Sequence, residues 1–211
     1  MSTRATPGPR ERLLDAAQEL TYSHGVGIGV DTILKAANVA RRSLYDHFGG
    51  KEGLIAEVLR RSTTEDEARY MEVMQAAGED PRERLLAIFD NLAHIIAEPD
   101  FRGCRYLAAD LTLADPDHPA HAITHDYHLR LHRLFEHEFV KLGHPQPAHA
   151  AAQLLLLITG TLAAGATRAD DRPAALAREL AEQILDLRHH AAPAAPDVGH
   201  RENHGDEVTA P

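Results

Sequence analysis

The residues best suited to chemistry stand together in the stretch ARRSLYDHF at 40–48. Two adjacent arginines, Arg41 and Arg42, carry planar guanidinium groups whose N–H donors match the O6 and N7 acceptors of guanine in the DNA major groove. Three polar-tipped side chains follow them: Ser43, Tyr45 and His47. Because hydroxyl and imidazole groups bond to base edges and to phosphate oxygens, this stretch predicts contact with double-stranded DNA. The alternative is a short surface helix with two solvated arginines.

Two short helices are predicted to position these side chains, at 30–37 and 41–48. At about 100° per residue, Leu44 and Phe48 fall on one side of the second helix and Arg42, Ser43 and Asp46 fall on the other, with Tyr45 and His47 on the flanks. Asn38 suits the turn between the helices because asparagine tolerates left-handed backbone angles. This pattern is typical of a helix-turn-helix, whose second helix presents its polar side to the major groove.

Residues 10–60 resemble the N-terminal domain of TetR-family transcriptional regulators. The resemblance is carried by LLDAAQEL, by the glycine loop at 25–29, by VDTILKAANVARRSLYDHF and by KEGLIAEVL. It implies a homodimer with DNA-binding heads at one end. It also implies a C-terminal, all-helical body that binds a small ligand and holds the two subunits together.

Three residues depart from the family pattern. Gly29 stands where a Ser or Thr often caps the second helix and contacts phosphate, so Thr32, one turn further on, is predicted to make that contact. Ala40 stands where a capping Ser or Thr is common, at a cost of about 1 kcal/mol to the recognition helix. Asp46 faces the groove side, where it repels phosphate unless it accepts a hydrogen bond from a cytosine N4 amine.

Lys51 completes the predicted set of DNA contacts. It opens the next helix, where its charge lies beside free backbone N–H groups of the kind that bind phosphate. The predicted DNA-binding residues are Thr32, Arg41, Arg42, Ser43, Tyr45, His47 and Lys51.

The predicted fold class is all-α, with nine helices. No stretch shows a sustained alternation of apolar and polar residues, and Ala and Leu dominate the chain. We expect a helix-turn-helix domain at 1–61 and a ligand-binding and dimerisation domain at 62–190. We expect a disordered tail at 191–211, because that segment has no apolar periodicity.

The charge of the chain is unevenly distributed. The formal net charge is −10, yet residues 1–61 carry nine Lys and Arg against seven Asp and Glu. This asymmetry indicates a small basic module on an acidic body. The single cysteine and the polar, proline-broken N-terminus favour a reducing, cytoplasmic location. Residues 142–167 contain no Asp, Glu, Lys or Arg, but their prolines, polar residues and alanines favour a buried helix over a membrane span.

The body is predicted to enclose a cavity for a small-molecule effector and to carry the dimer interface. The predicted cavity residues are Tyr70, Met74, Phe89, Leu92, His94, Ile96, Leu107, Leu111, Tyr127 and Leu131, with Arg105 and Tyr106 as further polar groups. For any one of them, plain core packing is the alternative. The predicted interface residues are Leu155, Ile158 and Leu162 on the charge-free helix and Leu180, Ile184 and Leu187 on the last helix.

Five histidines recur at helical spacing and are predicted to lie on an outer face. They are His118, His121, His125, His128 and His132. Pairs four residues apart suit zinc or nickel, but solvated surface histidines are the simpler interpretation. Adventitious metal binding and a sensory metal site are the alternatives, and no metal site or cofactor is predicted. Cys104 is interpreted as a small buried hydrophobe, with a redox sensor as the alternative.

The predicted function is ligand-responsive control of transcription by a homodimeric repressor that is released from a near-palindromic operator. Release requires only that the ligand binds two conformations with different affinities. An enzyme is disfavoured because the sequence has no nucleophile elbow, phosphate loop or paired-carboxylate constellation. A helical small-molecule-binding protein without a role in transcription is the remaining alternative.

Overall fold

The computed structural model describes residues 7–167 and 172–187, which form nine α-helices and no β-strand. The helices are α1 (Pro9–His24), α2 (Val30–Ala37), α3 (Arg41–Phe48), α4 (Lys51–Ala76), α5 (Pro81–Ile96), α6 (Arg105–Thr112), α7 (Pro119–Lys141), α8 (Pro147–Gly165) and α9 (Arg172–Leu185). The predicted all-α class is confirmed over this part of the chain. The predicted tail at 191–211 lies outside the described residues.

The helix ends follow from local chemistry. Helices α1, α5, α7 and α8 begin at a proline, whose fixed φ and missing N–H suit the first helical turn. Asp80 caps α5 by accepting a hydrogen bond from the backbone N–H of Arg82 at 2.9 Å. Asn38 ends α2 with φ 49° and ψ 55°, the left-handed conformation predicted for it. The chain therefore turns sharply from α2 into α3.

Two hydrophobic cores divide the helices between them. The first, which we name the head core, joins α1, α2, α3 and the start of α4; its buried residues include Leu13, Ile33, Leu44, Leu54 and Val58. The second, the body core, joins α4 to α9 around the buried side chains of α5. Helix α4 runs without a break from one core into the other. The predicted domain boundary at residue 61 falls inside this helix and stays a prediction.

The junction between α3 and α4 depends on a close backbone approach. Gly49 ends α3 with a φ of 72°, and α4 begins two residues later. At Gly53 an added β-carbon would lie 1.9 Å from the carbonyl oxygen of Phe48. Since two backbones cannot share that space with a side chain, Gly53 sets the angle between α3 and α4.

Helix α8 has apolar residues on two opposite sides. By length and composition Pro147–Gly165 is apolar enough to cross a membrane. One side packs in the body core against α5, α7 and α9, and a β-carbon added at Gly165 would lie 2.8 Å from the side chain of Ile96. The other side carries Leu156, which is 74% exposed, and Gly160, which has open space above it. The packing is that of a core helix with a second, uncovered apolar side.

Candidate nucleic-acid interface and internal cavity

Helix α3 separates a buried side from a polar side within two turns. Leu44 is buried in the head core, and Phe48 packs against the same core. On the opposite side the side chain of Arg42 is 90% exposed. Four further predicted contacts lie on α3. Ser43 is half-buried, and Arg41, Tyr45 and His47 are exposed. We name the surface formed by these four residues and Arg42 the recognition face.

Both arginines of the recognition face lie beside a carboxylate of the same chain. Arg41 donates to Asp31 of α2 at 2.5 Å, and Arg42 lies 3.5 Å from Asp46, one turn further along α3. All four side chains are more than half exposed, so each pair contributes no more than about 1 kcal/mol. A stronger acceptor, such as a guanine edge or a phosphate, can therefore take either arginine from its carboxylate at little cost.

Thr32 and Lys51 flank the recognition face. Thr32 is exposed on the first turn of α2, and Lys51 is the first residue of α4. Gly29 and Ala40 occupy the N-cap positions of α2 and α3 and provide no side-chain cap, as their sequence predicts. The free backbone N–H groups at these helix starts therefore remain open to an anion.

A charged cluster missed by the sequence analysis fastens α1 to α4. The half-buried guanidinium of Arg61 donates to Glu11 at 2.9 Å, to Asp15 at 2.7 Å and to the side-chain oxygen of Gln18. Its acceptors recur along one side of α1, a spacing that could have indicated a shared cationic partner. This cluster holds the first helix of the head against the long helix that enters the body.

An internal cavity of about 290 Å³, partly open to solvent, lies in the body, bordered by α4 to α8, by Tyr22 of α1 and by the loop before α6. Four of the predicted cavity residues border it: Tyr70, Leu92, Tyr127 and Leu131. The predicted polar groups Arg105 and Tyr106 border it as well. The cavity is small by the standards of ligand sites, which argues for a compact ligand.

Six predicted cavity residues lie elsewhere, and this part of the prediction is wrong. Met74, Phe89 and Ile96 are buried in the body core, away from the cavity wall. The other three are also absent from the wall, and Leu111 is 79% exposed: His94, Leu107 and Leu111. Helices α5 and α6 turn only one side to the cavity, so apolar character alone does not identify the residues that face it.

A polar network connects the cavity to the head. Tyr106 donates its hydroxyl hydrogen to Asp66 of α4 at 2.7 Å. Arg105 donates to the hydroxyl of Ser62, also on α4, at 2.9 Å. The guanidinium of Arg105 also stacks over the ring of Tyr22 in α1, 4.7 Å from its centroid. These contacts join α6, at the cavity wall, to two helices that reach the head.

Tyr22 lies where the two parts of the molecule meet. Its hydroxyl accepts a hydrogen bond from the backbone N–H of Arg102 at 3.0 Å. Together with Arg105 it borders both the internal cavity and a second cavity of about 270 Å³ between α1, α4 and α6. The sequence analysis did not single out Tyr22, because nothing in its local spacing indicates a partner 80 residues away.

Three tyrosines, a cysteine and a histidine at the cavity have pKa values that are shifted toward their neutral forms. Burial, followed by the nearby charge of Asp66, raises the pKa of Tyr106 far above that of a free phenol. Burial also raises the pKa of Tyr70 and Tyr127 and of the thiol of Cys104. Burial lowers the pKa of His128, which borders the cavity, and so favours its uncharged imidazole.

The five histidines of the predicted outer face do not share one environment, so that prediction is wrong in part. His118 is buried at the start of α7, where its Nδ1 accepts a hydrogen bond from the backbone N–H of Ala120 at 3.1 Å. His128 is half-buried at the cavity. The other three are exposed or half-buried: His121, His125 and His132. Within residues 7–167 and 172–187 no group of three or more His, Cys, Asp or Glu is arranged to hold a metal ion.

The interface prediction on α8 selects the wrong side of that helix. Leu155, Ile158 and Leu162 face inward and border the cavity. On α9, Ile184 is half-buried and packs against the body core, whereas Leu180 is exposed, as is Leu187, two residues after the helix. The large exposed apolar side chains here are Leu156 on α8, Leu176 and Leu180 on α9, and Leu187. We name them, together with Gly160, the α8–α9 face.

These features define a helix-turn-helix DNA-binding protein with a helical body, and comparison with known proteins agrees. The family profile for bacterial regulatory proteins of the tetR family matches residues 13–58. The chain belongs to the TetR family and is a DNA-binding transcriptional regulator, not an enzyme.

Three relatives illustrate this membership. A TetR-type regulator of Streptomyces avermitilis is 35% identical, with 83% of this chain and 99% of that chain covered and a TM-score of 0.72. The HTH-type transcriptional regulator YjdC of Escherichia coli is 24% identical over 178 residues, which are 83% of this chain and 93% of that protein. A cysteine mutant of the regulator CifR, solved with double-strand operator DNA, shares the fold with a TM-score of 0.71, at 19% identity and with coverage of 86% and 98%.

Proposed function

We propose that this protein is a homodimeric repressor that leaves a near-palindromic operator when a small molecule enters the internal cavity. The observation that carries the proposal is the recognition face, where two exposed arginines stand in the first turn of α3. The operator-bound structure of CifR supports double-stranded DNA as the partner. We expect the protein to act in the cytoplasm, where the chromosome of a bacterium lies.

The recognition face suits the chemistry of a major groove. Arg41 and Arg42 can each donate two hydrogen bonds to the O6 and N7 of a guanine, and Ser43 can bond to a neighbouring base edge. Tyr45 and His47 are exposed and are assigned to the two phosphate walls of the groove, and Lys51 and Thr32, at helix starts, are assigned to further phosphate contacts. Base contacts and phosphate contacts are thus assigned to different side chains.

The polar network supports a response to ligand. Helix α6 borders the cavity and contacts α4 through Ser62 and Asp66 and α1 through Tyr22. A ligand that displaces α6 therefore changes contacts made by both helices that enter the head. The ligand shifts the equilibrium between two arrangements of the heads only to the extent that it binds one of them more tightly.

The α8–α9 face supports a homodimer. Exposed leucines on both helices and a glycine on α8 allow a second copy of the two helices to pack closely, giving a four-helix interface with two-fold symmetry. We propose Leu156, Leu176, Leu180 and Leu187 as its contact residues.

Removal of Arg42 tests the base-reading role. Arg42→Ala is expected to weaken binding to an operator selected from genomic fragments by about 1–3 kcal/mol, because two hydrogen bonds to one base are lost. Fluorescence anisotropy at physiological salt measures the change. Asp46→Asn is the companion variant: it removes the carboxylate that competes for Arg42, so binding to DNA should tighten. Parental affinity in a folded Arg42→Ala dimer would exclude Arg42 from base reading.

Lys51 tests the phosphate assignment. Lys51→Ala is expected to weaken operator and unrelated DNA alike and to flatten the log–log salt dependence by about one unit per subunit. The control is Arg133→Ala, which removes one charge from the exposed surface of α7. A loss confined to one base pair of the operator would contradict the assignment and make Lys51 a base contact.

A further inference from the structure

The internal cavity holds hydrogen-bonding groups that have no partner in the protein. Tyr70 is 9% exposed and Tyr127 is 3% exposed, and both border the cavity. Within the described residues neither hydroxyl makes a hydrogen bond, whereas the hydroxyl of the neighbouring Tyr106 is bonded to Asp66. Because neither hydroxyl is engaged within the protein and neither oxygen is fully buried, both phenols are free to bond to a polar atom of a ligand in the cavity.

Four further polar groups at the cavity are uncharged as well. Asn91 and Thr159 are half-buried and neutral by nature, and desolvation keeps the imidazole of His128 neutral. The thiol of Cys104 is protonated for the same reason. The inner wall therefore offers neutral donors and acceptors.

The charged side chains at the cavity are either already paired or placed at its rim. Asp66 accepts the hydrogen bond of Tyr106 and lies 3.9 Å from the guanidinium of Arg105. Arg105 is held further by Ser62 and by the ring of Tyr22. The remaining three are exposed and of mixed sign: Arg69, Glu98 and Asp100. A charged ligand would lose its hydration shell on entering the cavity. No unpaired counter-charge inside the wall would compensate for that loss.

The walls favour a flat, apolar ligand body. The rings of Tyr106 and Tyr127 pack against each other with centroids 4.6 Å apart, and His128 stacks beside Tyr127 at 5.8 Å. Aromatic faces such as these bind other rings by offset or edge contacts. The volume of about 290 Å³ limits the ligand to one or two rings.

We propose that the cavity selects uncharged ring compounds that carry one hydroxyl or carbonyl group, with the hydroxyls of Tyr70 and Tyr127 as the polar contacts. This inference rests on the proposed function in one respect: it takes the molecule that binds in the cavity to be the effector that releases the operator. A cationic or an anionic amphiphile of the same shape is predicted to bind more weakly, because the interior offers it no free counter-charge.

A series of three probes that share a naphthalene ring and carry substituents of different charge tests the selection. The full-length protein is titrated by calorimetry at pH 7 with 2-naphthol, which is neutral, with 2-naphthoate, which is anionic, and with 2-naphthylmethylammonium, which is cationic. We expect 2-naphthol to bind at least about tenfold more tightly than either ion. Equal or tighter binding of an ion, or no binding of any probe at millimolar concentration, overturns the proposal.

Two conservative variants test the polar contacts. Tyr127→Phe keeps the ring and removes the hydroxyl, so 2-naphthol binding should weaken about two- to tenfold, the loss of one hydrogen bond. Tyr70→Phe should do the same, and Tyr45→Phe, on the recognition face, is the matched control that should leave ligand binding unchanged. Unchanged affinity in both cavity variants contradicts the assignment.

Operator release separates this inference from the proposed function. If 2-naphthol binds in the expected order but leaves the operator complex intact, the ligand class stands and the ligand response fails. If 2-naphthoate releases the operator while 2-naphthol does not, the ligand response stands and the ligand class is wrong.

Discussion

Replacing Leu180 by glutamate is expected to convert the protein into a monomer that no longer holds its operator. Leu180 lies on the α8–α9 face and is 46% exposed in the single subunit. A glutamate at this position therefore stays solvated in the monomer and is desolvated only when a second copy covers the face. An unpaired carboxylate buried at an apolar interface costs about 3–5 kcal/mol, which weakens dimerisation by about two to four orders of magnitude. Each head reads only half of a near-palindromic site, so DNA affinity falls although no DNA-facing residue has changed.

Light scattering and anisotropy measured on the same samples check this result. The matched control is Leu111→Glu, the same change at an exposed leucine of α6, which should remain a dimer with full DNA affinity. A stable, full-affinity Leu180→Glu dimer would contradict the proposed interface and place it elsewhere, for example on α7.

The second large effect is expected at Gly53. In Gly53→Ala the new methyl group would overlap the carbonyl oxygen of Phe48, which as a backbone atom cannot rotate away. The overlap outweighs the better helix propensity of alanine and should cost the head about 1–3 kcal/mol. Since relief requires α3 to move relative to α4, we also expect operator affinity to fall at least about tenfold.

Thermal unfolding followed by circular dichroism and operator titration measure the two consequences. Gly27→Ala is the control, because open space surrounds that glycine and its φ is not positive, so its stability should stay within about 0.5 kcal/mol of the parent. Dimerisation should be unaffected in both variants. Parental DNA affinity in Gly53→Ala would mean that the α3–α4 junction tolerates more movement than its geometry suggests.

The helix-turn-helix could be predicted because its determinants lie close together in the sequence. Asn38 adopts the expected left-handed turn, and Leu44 is buried beneath the arginines as helical periodicity requires. All of these contacts arise within two helices and one turn, so the order of residues nearly fixes the geometry. The starts of four other helices follow as directly, from the prolines that open them.

The cavity and the α8–α9 face could not be predicted to the same degree. Helix α8 is apolar on opposite sides, so periodicity does not decide whether Leu155 or Leu156 faces outward. The choice depends on how α5, α7 and α9 pack around it, which is a property of distant segments. For the same reason the stacking of Arg105 on Tyr22 has no signal in the sequence near either residue.

The carboxylates beside the two arginines have a consequence for the number of regulator molecules that a cell needs. With Asp31 and Asp46 nearby, the leading surface of each head carries less net positive charge than its arginines alone would give. Sequence-independent binding grows with the number of phosphates that are neutralised, and a genome offers about 10⁶–10⁹ such competing sites. A smaller share of the protein is then bound to chromosomal DNA outside the operator. Fewer copies per cell therefore suffice to keep a single operator occupied.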